Sequence, residues 1–135
     1  MRWIFVAFGI AFVIALTIKL GLFDSSRETN GQVLAIVKVP TLTGVALRGE
    51  RAFSEKCAVC HGENAAGKNR SGPPLIHKIY EPSHHGDQAI WLAPKRGVRQ
   101  HHWGFGDMPP VQISDNALKS VIVYIRTLQR ENGIN

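Results

Sequence analysis

Two cysteines and a histidine, grouped within one short segment, constrain this chain more than any other feature. They lie in the run Cys57-Ala58-Val59-Cys60-His61, and no other cysteine occurs in the 135 residues. A disulfide-rich scaffold is therefore excluded. On a helical turn, residues three and four positions apart share a face, so both thiols and the imidazole are expected to point in the same direction.

This C-x-x-C-H pattern predicts one covalently attached haem, haem c. Two thiols at this spacing can add to two adjacent vinyl groups on one edge of the macrocycle, and His61 is then placed to ligate the iron. A thiol–disulfide motif would need a thioredoxin-like βαβ context, which the sequence lacks. A zinc site would need a second pair of ligands, which the six histidines make conceivable. We favour the haem.

Residues 1–23 are predicted to form a transmembrane anchor. The apolar stretch from Trp3 to Phe23 carries a single charge, Lys19, and as a helix it would span roughly 30 Å, the thickness of a bilayer core. A cleaved signal peptide is the competing interpretation, but no convincing small-x-small cleavage site is present. Arg2 favours a cytoplasmic N-terminus. We therefore expect a single-pass protein of the inner membrane whose C-terminal domain faces the periplasm.

Residues 24–40 are predicted to be a linker, and residues 41–135 the folded domain. The linker begins with polar residues and continues as VLAIVKVP, which could also form a short strand against the domain or a lipid surface. The formal net charge of the chain is +6, but its charges are scattered singly. No basic stripe for nucleic acid is therefore expected.

The domain is predicted to be all-α, with few helices and long loops. One helix is expected over Val45–Cys57 and a short one over roughly Asp87–Arg96, which Pro94 should interrupt. Ser114 or Asp115 can cap a C-terminal helix. The apolar face of that helix comprises Leu118, Val121, Ile122, Ile125 and Leu128. So much loop in a small domain suggests that a central cofactor organises it.

The surroundings of the motif resemble the class I cytochrome c family over roughly residues 41–129. Gly49 and Phe53 match its Gly-x-x-x-aromatic signature, Tyr124 matches the aromatic residue of its C-terminal helix, and Gly72-Pro73-x-Leu75 matches its Gly-Pro-x-Leu stretch. The resemblance implies a small cytochrome c-like fold around one haem. It also implies that the Pro73 carbonyl accepts a hydrogen bond from Nδ1 of His61, which fixes the ring.

Met108 is the predicted sixth ligand of the iron, so that His61 and Met108 are the expected metal ligands. Apart from Met1 it is the only methionine, and two prolines follow it. A soft sulfur ligand stabilises ferrous iron, which suits electron carriage. The alternative is a haem with two histidine ligands, the second supplied by one of five histidines: His77, His84, His85, His101 or His102.

Two histidine pairs, His84-His85 and His101-His102, depart from the family pattern. One hypothesis is that they assemble a second metal site, with copper as the favoured metal. Because adjacent residues on a strand point to opposite faces, each pair is expected to offer only one ligand. We therefore favour packing at the haem rim for these histidines. Tyr80, Trp91, Trp103 and Phe105 are expected to form haem-pocket walls.

With both axial positions filled, the iron has no open site for a substrate, so the sequence predicts an electron carrier without catalytic residues of its own. Its partners should be a redox donor and acceptor protein, together with the membrane through the N-terminal helix. The alternatives are a haem-containing subunit or sensor of a larger oxidase or reductase, and a small haem peroxidase.

Overall fold

The computed structural model describes residues 32–135. The predicted anchor over residues 1–23 and the first part of the predicted linker lie outside the described residues. Within residues 32–135, no helix is long and apolar enough to cross a membrane.

Four α-helices organise the described part of the chain, here named α1 to α4 in chain order. They are α1 (Gly44–Lys56), α2 (Ala58–His61), α3 (Asp87–Arg96) and α4 (Asp115–Glu131), with 3₁₀ turns at Glu63–Ala65 and Lys78–Tyr80. Between residues 32 and 135 the only β-structure is a set of isolated bridges. The predicted all-α class is therefore confirmed for this part of the chain.

Helices α1 and α4 cross at Gly49, and this crossing forms the core. A Cβ atom at Gly49 would lie 2.0 Å from the main-chain oxygen of Ser120, so the two backbones are in direct contact there. One turn later, the rings of Phe53 and Tyr124 pack with their centroids 5.5 Å apart. Both side chains are 1% exposed. The glycine is required because any side chain would separate the helices.

The C-terminal helix α4 follows its predicted pattern closely. Ser114 is the N-cap, and its Oγ accepts a hydrogen bond from the amide of Ala117. Asp115 lies inside the helix and pairs with Lys95 instead. The five residues of the predicted apolar face are all buried. The amphipathic period of the sequence therefore identifies the buried face correctly.

Helix α3 does not break at Pro94, contrary to the prediction. The helix continues through Pro94 to Arg96, and the amide of Gly97 bonds to the carbonyl of Ala93. Pro94 lies in the last turn, where a missing amide removes a single helical hydrogen bond. Its own carbonyl accepts a hydrogen bond from the amide of Val111, which ties the helix to the following loop.

Residues 32–40 lie along the domain. The amides of Leu34 and Ala35 bond to the carbonyl of Ala66, and the side chain of Asn132 bonds to both the amide and the carbonyl of Lys38. The segment is therefore bonded to the domain, as in the strand interpretation, and is not a free tether. The division into a linker over residues 24–40 and a domain over residues 41–135 stays a prediction.

Candidate cofactor site

A largely apolar cavity of about 350 Å³ lies between the helices and the long middle loops. Four of the five residues predicted to form the haem site line this cavity: Cys57, His61, Pro73 and Met108. Cys60 is not among the lining residues but lies on the same helical segment as His61. The fold therefore brings distant parts of the sequence together around one space.

Cys57 and Cys60 lie where α1 passes into α2. The amide of Cys57 still bonds to the carbonyl of Phe53, and the amides of Cys60 and His61 both bond to the carbonyl of Cys57. The chain therefore remains helical through the motif, as the spacing of the three side chains requires. Both cysteines are free thiols and partly buried. Burial, and secondarily the neighbouring Cys60, raises the pKa of Cys57 to about 11.

His61 is held in one orientation at the end of α2. It is 9% exposed, and its Nδ1 donates a hydrogen bond to the carbonyl of Pro73 at 3.0 Å. That bond leaves Nε2 as the nitrogen with a free lone pair. Desolvation lowers the pKa of His61, and the bond to Pro73 opposes this shift. The lowered pKa favours the neutral ring, which is the state that binds a metal.

Gly72 allows the Pro73 loop to approach the motif. A Cβ atom there would lie 2.7 Å from the carbonyl oxygen of Cys60. The Gly-Pro stretch therefore packs directly on the motif, and any larger residue at position 72 would push the Pro73 carbonyl away from His61.

The Met108 loop is attached to the end of α3. Met108 and Val98 exchange two main-chain hydrogen bonds, each 2.9 Å long. At Gly97, where φ is +76°, a Cβ atom would lie 2.7 Å from the carbonyl oxygen of Met108. Gln100 and Asp107 close the loop further, because the carboxylate of Asp107 accepts from the amide of Gln100 at 2.9 Å. Met108 is thus carried by a constrained loop.

Three of the four predicted aromatic wall residues line the cavity, namely Tyr80, Trp103 and Phe105. Trp91 does not, and this prediction was wrong. Its ring instead lies under the ammonium group of Lys95, 4.2 Å from the ring centroid. Helix α3 turns the residues one position before and two after Trp91, Ile90 and Ala93, toward the cavity.

Trp103 carries a buried donor in the wall of the cavity. Its Nε1 makes no hydrogen bond of good geometry with the described residues, although it lies close enough to the Tyr80 hydroxyl to help lower the pKa of that group against the effect of burial. Burying such a donor costs free energy unless something accepts from it. Because the side chain lines the cavity, an anionic oxygen of a bound cofactor could satisfy it. The residues present therefore fit an acidic, largely apolar group such as haem.

The two histidine pairs meet at the edge of the cavity. The rings of His84 and His85 are stacked, with centroids 4.7 Å apart and planes 3° apart. The ring of His102 lies edge-on to both, at 5.3 Å and 5.2 Å, and that of His101 is 4.3 Å from His102. The expectation that adjacent histidines point to opposite faces was wrong, because residues 84–85 lie in a turn and not on a strand.

The positions of the histidines bear on two alternatives, a zinc site at the cysteines and a second histidine ligand to the iron. Among residues 32–135, the group of potential metal ligands that lie close together is His84, His85 and His102; neither cysteine belongs to it. A zinc site that includes Cys57 and Cys60 therefore has no support in the described structure. His77 does not line the cavity, whereas His85, His101 and His102 do.

Arg126 is a positioning residue that the sequence did not reveal. It is 7% exposed and faces the loops that line the cavity. Its guanidinium group donates to the carbonyls of Tyr80 and His85 and to Asp87. It thus holds the 80–87 segment against α4. In the sequence, only its position between Ile125 and Gln129 on the buried side of the helix indicates that it is not at the surface.

Comparison with known proteins adds a family and several relatives. The family model for cytochrome c matches residues 46–129. The chain is 27% identical over 106 residues to the cbb3-type cytochrome c oxidase subunit FixPc of Rhizobium leguminosarum bv. viciae, covering 76% of this chain and 34% of the relative. It is 32% identical over 114 residues to the cbb3-type cytochrome c oxidase subunit CcoP of Azospirillum brasilense, covering 76% of this chain and 36% of the relative. The chain thus spans about a third of the length of these curated relatives, and no solved structure matches it.

Proposed function

Because this chain belongs to the cytochrome c family, we propose that it carries single electrons through one haem c attached at Cys57 and Cys60, with His61 and Met108 as the axial ligands. Haem-mediated electron transfer follows from the family itself. What we propose beyond this concerns four points: the attachment residues, the ligand pair, the presence of a single haem and the identity of the partners.

The observation that carries the proposal is the convergence of His61 and Met108 on one cavity beside Cys57. When bound, haem supplies an iron that alternates between ferrous and ferric states. His61 can hold such an iron through Nε2 because Nδ1 is committed to Pro73. Met108 offers a soft sulfur from a loop fixed to Val98. Ligands held on both sides change little between redox states, which favours rapid outer-sphere transfer.

Trp103 supports the fit of the cofactor independently of the iron ligands. Its Nε1 is a donor without a well-aligned partner among the described residues, and a haem propionate would supply a strong acceptor. Apolar residues such as Ile90 and Leu118 also line the cavity. Apolar surroundings favour the less charged ferrous form.

We further propose that the chain acts as an electron-carrying component next to a larger oxidase and is not an enzyme by itself. The relatives described above are subunits of cbb3-type cytochrome c oxidases. In this proposal residues 1–23 anchor the chain in the inner membrane, residues 24–40 connect it, and residues 41–135 present the haem to the periplasm. An anchored domain meets membrane partners at a raised effective concentration.

Spectroscopy of the purified holoprotein tests the haem and its ligands. An alkaline pyridine spectrum should report thioether-linked haem with one haem per chain. The ferric protein should show the far-red band of sulfur-ligated iron. Met108→Ala should remove that band and allow CO to bind the ferrous form. The control Val111→Ala, at another position lining the cavity, should keep the far-red band and should not bind CO. Acid-extractable haem, or a far-red band that persists in Met108→Ala, would overturn the assignment.

Membrane preparations test the partner. The full-length chain should copurify from mildly solubilised membranes with a terminal oxidase, and its haem should be oxidised by that complex in air. Isolation of the holoprotein alone, with no effect of the complex on its oxidation rate, would contradict the partner proposal and leave the haem assignment intact.

A further inference from the structure

The four exposed or half-exposed histidines at the cavity edge form a cluster that haem attachment does not use. Of these, His84, His85 and His102 each offer a ring nitrogen, and the three nitrogens lie within 4.8 Å of one another. Metal–imidazole bonds of about 2.0 Å bring ligand nitrogens to within about 4 Å of each other. Small rotations of the three side chains therefore suffice to close a site around one ion.

The His84-His85 half of the cluster is a rigid turn. The amides of both residues bond to the carbonyl of Glu81, at 3.1 Å and 2.8 Å. Nδ1 of His85 donates to the carbonyl of Ile79 at 2.7 Å, which leaves Nε2 available as a ligand. A histidine whose second nitrogen is bonded to a carbonyl is the usual arrangement at metal sites. Arg126 fixes the His85 carbonyl from below.

The His101-His102 half approaches from a different loop. Nδ1 of His101 bonds to the carbonyl of Arg99 at 2.9 Å, which fixes that ring and again leaves Nε2 available. Within residues 32–135, no hydrogen bond occupies the ring nitrogens of His84 or His102. Two loops that are far apart in the sequence are thus held so that free imidazole nitrogens converge.

The chemistry of the donors selects the type of ion. Imidazole ligands suit copper, zinc and nickel, whereas calcium and magnesium require oxygen ligands, and no carboxylate belongs to the group. For a given nitrogen site, affinity among divalent first-row ions is highest for Cu²⁺. We propose that His84, His85 and His102 form a Cu²⁺-binding site at the cavity edge, with His101 within reach as a fourth ligand.

The position of the site couples it to the cofactor, and this part of the inference rests on the proposed function. His85 and His102 also line the cavity that contains His61 and Met108. A divalent cation held there adds positive charge close to the iron and disfavours the ferric form. Ion binding should therefore raise the reduction potential of the haem.

Binding is tested on the full-length holoprotein prepared without a histidine tag and freed of metal with a chelator. Titration with Cu²⁺, followed by calorimetry and electron paramagnetic resonance, should show one ion per chain with nitrogen ligands. The double variant His84→Ala/His102→Ala should weaken binding at least tenfold. The control His77→Asn removes a histidine outside the cluster but keeps a side-chain acceptor for the Ile79 amide, and its affinity should equal that of the parent.

Because His84 and His102 are exposed, the double variant should retain the parental unfolding midpoint. The single variant His102→Gln gives a second, milder test of the same ligand set. The site would be overturned by equal Cu²⁺ affinity in the parent and the double variant. It would also be overturned if the parent took up no stoichiometric Cu²⁺, as expected if cofactor propionates occupy the imidazoles.

Zn²⁺, which has no redox chemistry of its own, separates the site from its coupling to haem. Saturating Zn²⁺ should raise the haem potential in the parent protein and not in the double variant. Zn²⁺ binding with an unchanged potential would refute the coupling and leave the site in place. Failure of the haem assignment would instead appear in the pyridine spectrum, which the metal titration does not involve.

Discussion

Replacing Gly49 by alanine should test whether the contact between α1 and α4 determines the stability of the domain. The added Cβ would lie 2.0 Å from the oxygen and 2.6 Å from the carbon of the Ser120 carbonyl, and 2.8 Å from Cβ of Tyr124. Two of these three atoms belong to the main chain, so no side-chain rotation relieves the overlap. The helices must move apart.

The expected magnitude follows from two opposing effects. Overpacking a well-packed core costs about 1–3 kcal/mol, and the rigid carbonyl places this substitution near the upper end. Alanine in place of glycine in the middle of a helix contributes about 1 kcal/mol of stabilisation. The free energy of unfolding should therefore fall by about 2 kcal/mol, the difference between these two values.

The assay is urea unfolding of the holoprotein, followed by far-ultraviolet circular dichroism. Gly104→Ala is the matched control, because a Cβ atom at Gly104 would meet nothing within 4 Å. The midpoint should fall for Gly49→Ala with an unchanged dependence on denaturant, and it should stay near the parental value for Gly104→Ala. Stability equal to or above that of the parent in Gly49→Ala would refute the close packing of the two helices.

Three further changes probe buried groups. Burial, and then the charge of Glu50, raises the pKa of Tyr124 from 10.0 to about 12. Because the folded state favours the protonated phenol, the free energy of unfolding should fall as the pH rises from 10 to 12. Urea titrations at each pH should show that Tyr124→Phe lacks this part of the decline. Arg126→Met should cost about 2 kcal/mol, because the His85 carbonyl loses its donor while the Tyr80 carbonyl keeps a bond from Gln129. Exposed Arg130→Met should unfold at the parental urea concentration. Trp103→Phe should lower the haem potential measured by redox titration, since an anionic group loses its donor; an equal shift in Trp91→Phe would argue against a specific role.

The local features of the site could be predicted from the sequence. The spacing of Cys57, Cys60 and His61 describes one helical turn, and the structure contains that turn. The apolar period of α4 and the small residue at Gly49 likewise indicate their buried faces directly. Such features are readable because they depend on residues a few positions apart. The assignments of the haem, of Pro73 and of Met108 as a ligand remain predictions that rest on the motif and the family.

The features that the sequence did not predict depend on contacts between distant segments. Arg126 is buried because it donates to the carbonyls of Tyr80 and His85, which lie 46 and 41 positions earlier in the sequence. Trp91 leaves the cavity because α3 packs with a different face inward. The histidine pairs meet because a turn at residues 84–85 and the loop at residues 101–102 close over the same cavity. Local periodicity determines which residues of a helix are buried, whereas only tertiary packing decides which loops meet and which polar groups must satisfy one another.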